Sequence, residues 1–126
     1  MINPIKTIVT KSFSLRDVAN EIFTRMPPEK RYEPQEITLL TADDLMSFAS
    51  KCKCEYPQID HCSVYCEIMT DRAAFRITQL MVDANGAVIR SNGNPISRIV
   101  YAQRLDARIH ARLDGSLPAE FDFQLV

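Results

Sequence analysis

Residues 61–91 carry the pattern that limits the fold most. "HCSVYCEIMT" alternates, with Cys62, Val64, Cys66 and Ile68 on one face of an extended segment and Ser63, Tyr65, Glu67 and Met69 on the other. "AAFRITQLMVD" and "AVIRS" follow, on either side of Asn85-Gly86. That dipeptide is a strong hairpin signal, because both central residues of a type I′ turn need positive φ. Three strands joined by short turns make a meander, and the rest of the chain has to pack against it.

Helical spacing appears on both sides of this block. Ser14 can cap a first helix with Asp17 three residues on, a capping box in its Asp form. Leu15, Val18, Ala19, Ile22, Phe23 and Met26 then make one apolar stripe, which Pro27 and Pro28 end. Thr41 and Asp44 repeat the cap ahead of Leu45, Phe48, Ala49 and Cys52. A long third helix is predicted between Asn94-Pro95 and Gly115, with Ile99, Ala102, Leu105, Ile109 and Leu113 as its stripe. Short strands fit "IKTIVT", "EITLL" and "EFDFQLV". "MPPEKRYEP", Met26 to Pro34, reads as a surface connection too short to separate two domains. The expectation is one α+β domain over 1–126: a mostly antiparallel sheet of about four to six strands, with three helices packed mainly on one face.

The chain has 126 residues, enough for one domain that buries roughly two-thirds of its unfolded surface. Fifteen basic and sixteen acidic side chains give a net charge of −1. That balance argues against whole-domain attraction to nucleic acid or an anionic membrane. No apolar run approaches the roughly 20 residues of a membrane helix, and the start lacks the apolar core and cleavage site of a signal peptide. The cytoplasm, where thiols stay reduced, is the expected compartment.

All four cysteines, with one of two histidines, lie in "KCKCEYPQIDHCSVYC", residues 51–66, spaced C-x-C-x7-C-x3-C. Structural zinc sites favour C-x2-C pairs, and neither half of this cluster has that gap. On an extended strand Cys62 and Cys66 stand about 13 Å apart, whereas two thiolates on one zinc lie within about 4 Å of each other. The same separation excludes a disulfide between them. Cys52, Cys62 and Cys66 instead complete apolar faces, as buried free cysteines do; Cys54 has no periodic role. No metal or cofactor is expected.

Catalytic arrangements are thin. A thiol or serine nucleophile needs a base, and only His61 and His110 are present. His61 points away from Cys62 if the two share a strand. There is no G-x-S-x-G elbow, and the three glycines, Gly86, Gly93 and Gly115, are taken by turns and a helix end. Asp43, Asp44, Asp71, Asp83, Asp106 and Asp114 recur, and the first pair suits a helix N-terminus.

One surface resists a purely structural account. On the predicted third helix Arg98, Tyr101, Arg104, Arg108 and Arg112 fall within an arc of about 120°. Arginines at successive i, i+4 positions repel one another. Either an anionic partner lies alongside, or Glu120, Asp122 and the acidic 29–44 region neutralise them from within the chain. The functional expectation is a small non-enzymatic interaction module, a homodimer or a binder of an acidic protein, with this stripe as its contact surface. Nucleic acid or a small anion gains no support from net charge. The alternative is a small enzyme or ligand-binding protein with a helix–sheet pocket that uses His110 or a cysteine.

Overall fold

The computed structural model describes residues 13–25, 36–70, 74–113 and 115–125. In chain order the elements are α1 (Leu15–Arg25), β1 (Glu36–Leu40), α2 (Ala42–Glu55), β2 (Ile59–Met69), β3 (Ala74–Asp83), β4 (Arg90–Ser91), β5 (Asn94–Pro95), β6 (Ser97–Leu105), α3 (Ala107–Arg112) and β7 (Ala119–Gln124). Five strands form one sheet in the order β1-β6-β3-β2-β7, and β4 with β5 makes a small separate ribbon. Among the described strands only the β1–β6 pair is parallel. The domain is therefore α+β with a mainly antiparallel sheet. The expected strand at 5–10, Pro27 and Pro28, and the 26–34 connection lie outside the described residues.

Residues opposed across a ladder share a face, so the registers define two layers. Cys62, Met81 and Phe123 line up on one face, as do Val64, Gln79, Phe121 and Arg98, and then Cys66, Ile77, Val100 and Ala119. α2 covers this face with Leu45, Ala49 and Cys52, and α3 adds Ile109. The other face presents Ser63 with Leu80, Tyr65 with Thr78 and Ile99, and Glu67 with Arg76 and Tyr101. There α1 seats Leu15, Val18 and Ala19 on Tyr65 and Leu80. Two helices thus share one face and the third lies opposite. Each Leu, Ile, Val or Met buried this way contributes about 1.5–3 kcal/mol of transfer free energy.

The helix starts follow the predicted caps. Ser14 Oγ accepts the Asp17 amide at 3.3 Å, and Thr41 Oγ1 accepts the Asp44 amide at 3.1 Å. A polar clamp holds the far end of α1. Arg90 donates to both Glu21 oxygens at 2.9 and 3.2 Å, while Arg25 reaches the Gly93 carbonyl and the Asn94 side chain. On the sheet beneath, the Arg76 guanidinium stacks on the Phe23 ring at 4.4 Å and pairs with Glu67 at 2.8 Å.

The long third helix does not form. Residues 97–105 are strand β6, between β1 and β3, and helix begins only at Ala107. The physical reason is burial on both faces. Ile99, Val100, Tyr101 and Ala102 are all buried, so the strand shows a continuous apolar run without a period of two. Sampled every three or four residues, that run also satisfies a helical stripe. The helix N-cap is Asp106, whose carboxylate accepts the Ile109 amide. Asn94-Pro95 belongs to the ribbon instead, after a turn with Asn92 at φ 53° and Gly93 at φ 82°.

The type I′ signature thus sits at Asn92-Gly93. At Asn85-Gly86 only the glycine has positive φ. The Gly86 amide returns to the Asp83 carbonyl at 3.1 Å and the Asp83 amide bonds Ala87 at 2.9 Å. This is a type I turn followed by a left-handed glycine. The chain reverses where the sequence indicated, through a different turn.

Candidate functional site

With the third helix replaced by a strand, a bend and one short helix, the five stripe residues disperse. Tyr101 is 1% exposed in the central strand. Arg98 points into the layer under α2: its Nε donates to Gln79 Oε1 at 2.6 Å, and its Nη2 to the Asp44 carboxylate at 2.9 Å. The Arg98 guanidinium also covers the Phe48 ring at 4.4 Å. Gln79 is fully buried; its Nε2 donates to the Leu45 carbonyl at 3.0 Å and lies 3.5 Å from the Cys62 sulfur. Arg98 therefore fastens the start of α2 to the sheet. Arg112 donates to the Asp122 carbonyl at 2.6 Å, with its guanidinium 5.4 Å from the Phe121 ring. Arg108 pairs with Asp43 at 3.1 Å, both side chains well exposed. Arg98 and Arg108 are thus paired with carboxylates at the start of α2, while Arg112 meets the last strand through a backbone carbonyl and a ring.

Arg104 differs. Its side chain is exposed on β6 and makes no ion pair or hydrogen bond among the described residues, and its register partner is Leu39 of β1. Leu39 is 43% exposed, and Met46 on α2 is 41% exposed. Asp106 fastens the neighbouring backbone. Its amide donates to the Leu40 carbonyl at 3.0 Å, and its carboxylate accepts the Ala42 amide and the Ile109 amide at 2.9 Å each. One side chain thereby ties β1, the start of α2 and the start of α3. Burial pushes the Asp106 pKa up, but the Ala42 and Ile109 amides with Arg108 outweigh it, and the net displacement is downward. Met46 follows Asp43 by three residues, so the two share a helix face. Leu39 and Arg104 are thus neighbours across the β1–β6 ladder, and Arg108 of α3 reaches Asp43 of α2.

The alternative residues occupy another place. Among the described residues, Ile68, His110, Leu113, Gly115, Ser116 and Leu117 line an open cavity of about 570 Å³. The His110 ring meets Phe75 edge-on with centroids 6.4 Å apart. His61 sits elsewhere, its Nδ1 3.0 Å from Asp60 Oδ2.

The cysteines divide by depth. Cys52, Cys62 and Cys66 are buried and Cys54 is exposed, all as free thiols. Burial pushes the Cys62 thiol up to about 12 against a weaker opposing effect of the Gln79 amide, and burial then Glu67 raise Cys66 to about 12. Burial, then Glu55, also raises Cys52. No group of three or more His, Cys, Asp or Glu is arranged to hold a metal among the described residues. Of the carboxylates, Asp43 and Asp44 serve α2 and Asp83 accepts the Asn85 and Ala87 amides in its turn. Asp71 and Asp114 lie outside the described residues.

Sequence reasoning missed Leu39, Met46 and Ile68. Leu39 and Met46 each stand beside a buried leucine, and periodicity alone did not say which neighbour would face outward; Ile68 keeps the face that alternation gives it but lies past the last β2–β7 pair. No helix among the described residues is long and apolar enough to cross a membrane. No protein-family model, curated protein or solved structure matches the chain.

Proposed function

We propose that this chain is a non-enzymatic interaction domain of the reducing cytoplasm, and that it pairs with a second copy of itself along the β1 edge. The observation that carries the reading is the contrast between the two edge strands of the described sheet. β7 alternates acids outward at Glu120 and Asp122, the kind of edge that discourages strand addition. β1 presents Thr38 and Leu39 to solvent beside the exposed Arg104. An apolar edge strand is a template for pairing.

The register makes the pairing specific. Two β1 strands running antiparallel about Thr38 bring Leu39 opposite the second copy's Ile37. Each row on that face then reads Arg104, Leu39, Ile37, Ala102, the last two from the second copy, as follows from the β1–β6 register. Leu39 loses its exposure, and the Arg104 stem closes the row from the side. Isologous two-fold contacts are the commonest way such domains associate.

Sedimentation velocity over a concentration series tests the proposal, with the melting temperature as a check on folding. The wild type is expected to dimerise with a dissociation constant on the order of micromolar, as fits a small interface. Leu39→Lys is expected to sediment as a monomer with its melting temperature unchanged. A wild type that stays monomeric at all concentrations overturns the proposal, as does a Leu39→Lys variant that still dimerises.

A further inference from the structure

The path of α1 over the sheet is fixed by contacts at both of its ends. Leu15, Val18 and Ala19 pack on Tyr65 and Leu80, and the Phe23 ring lies under the Arg76 guanidinium at 4.4 Å. Leu80 and Arg76 stand four residues apart on one face of β3, so the helix runs along that strand and passes over Thr78 between them. Thr78 is 1% exposed, and its Oγ1 finds no hydrogen-bond partner among the described residues. Gln79, the next residue and beneath α2, has both ends of its amide engaged, by Arg98 and by the Leu45 carbonyl. The two helices are therefore seated differently.

A hydroxyl buried without a partner costs free energy that is recovered when water reaches it. Beneath α1 that cost belongs to the closed form alone. The neighbouring Arg76–Glu67 pair, at 2.8 Å and largely buried, also gains hydration if the helix lifts. Lifting is opposed by the apolar seat on Tyr65 and Leu80 and, at the far end, by a polar latch. In that latch Glu21 pairs with Arg90 at 2.9 Å, and Arg25 donates to the Gly93 carbonyl and the Asn94 side chain at 3.1 and 2.9 Å. Arg25 and Arg90 are exposed, so salt screens the charged part of this latch. We infer that α1 is a latched lid, which lifts from the sheet as a unit while α2 stays seated, with the Thr78 hydroxyl favouring the open form and the Glu21–Arg90 pair the closed one. Opening bares Tyr65 and Leu80 beside the Arg76–Glu67 pair. Proteins open in such cooperative pieces at free energies below that of global unfolding. The device is independent of β1 pairing.

Amide hydrogen exchange of the full chain, followed by NMR at neutral pH over a series of low urea concentrations, tests the lid. The amides of residues 19–25 should exchange together, about tenfold or more faster than those of residues 46–55. They should also depend more weakly on urea, because lifting one helix exposes less surface than unfolding the domain. Thr78→Val removes the hydroxyl at nearly constant shape and should slow α1 exchange about tenfold, whereas Thr78→Ser, which keeps the hydroxyl, should not slow it. Glu21→Gln should quicken α1 exchange about threefold at low salt and remove the quickening that high salt produces in the wild type. The inference is overturned if α1 and α2 exchange at one rate with one urea dependence, since α1 then leaves only with the whole fold. It is equally overturned if Thr78→Val quickens α1 exchange, or if neither salt nor Glu21→Gln changes it.

Discussion

Arginines 98 and 104 are six residues apart on one strand, yet their environments give them opposite consequences. Arg98, with its side chain 12% exposed, is the donor for a fully buried Gln79 oxygen and for the Asp44 carboxylate. Arg98→Gln leaves those acceptors without their donor, and the expected cost is about 1–3 kcal/mol in chemical denaturation. Arg104→Gln removes an exposed cation with no charged partner among the described residues, so stability should stay within about 0.5 kcal/mol of wild type. Equal effects from the two substitutions would contradict the assignment of Arg98 to α2. Asp106 provides a second test at this scale. Its folded pKa is lowered, so its contribution is complete above the ordinary carboxyl range and lost as pH falls through the lowered value. Asp106→Asn keeps one acceptor but loses the charge, and should cost about 1 kcal/mol at neutral pH. That difference should shrink as the wild type is acidified, and a difference constant with pH would contradict the account. Arg98 also marks where residue-level reading ended. Its charge was legible, but Gln79, Asp44 and Phe48 come from three distant segments that only the fold brings together.

At the scale of elements, legibility depended on how many faces each element buries. α1 and α2 expose one side, and their stripes and caps stand in the sequence with little ambiguity. β2 also alternates, and Cys62, Val64 and Cys66 lie on its core face as the pattern implied. β6 buries both faces, so its run Ile99–Ala102 carries no period and was read as helix. Asn94-Pro95 strengthened that error, since a helix cap and a tight ribbon use the same residue types. The candidate site inherited the misreading: a stripe drawn on a helix became three strand positions and two positions on α3. The cysteines give a test of β2 and α2 as elements. At pH 8 Cys54 should be alkylated first, because it is exposed. Cys62 and Cys66, buried and raised to about 12, should react only when the protein is unfolded by denaturant. Rapid modification of either buried thiol in the native protein would mean that the sheet opens locally or that β2 is misplaced.

Among the described residues, a sheet covered on both faces and an apolar edge at β1 set the scale of the whole molecule. α2 and α3 pack on one face of the sheet and α1 on the other, and among the described residues the exposed large apolar side chains are Leu39, Met46 and Ile68. The first belongs to the strand edge, and the account gives that edge to a second copy. No single sequence window announces this surface, because edge status depends on the strand order β1-β6-β3-β2-β7, in which β1 neighbours a strand some sixty residues away. Hydrogen exchange at the amides of residues 36–40 reads that edge directly. In the β1–β6 ladder some of these amides face β6 and the others face outward. The account predicts that the outward set exchanges quickly in dilute protein and is progressively protected as concentration rises through the dimerisation range. Leu39→Lys should abolish that concentration dependence. Exchange that is the same at every concentration, with the amides of β7 slowing instead, would contradict it.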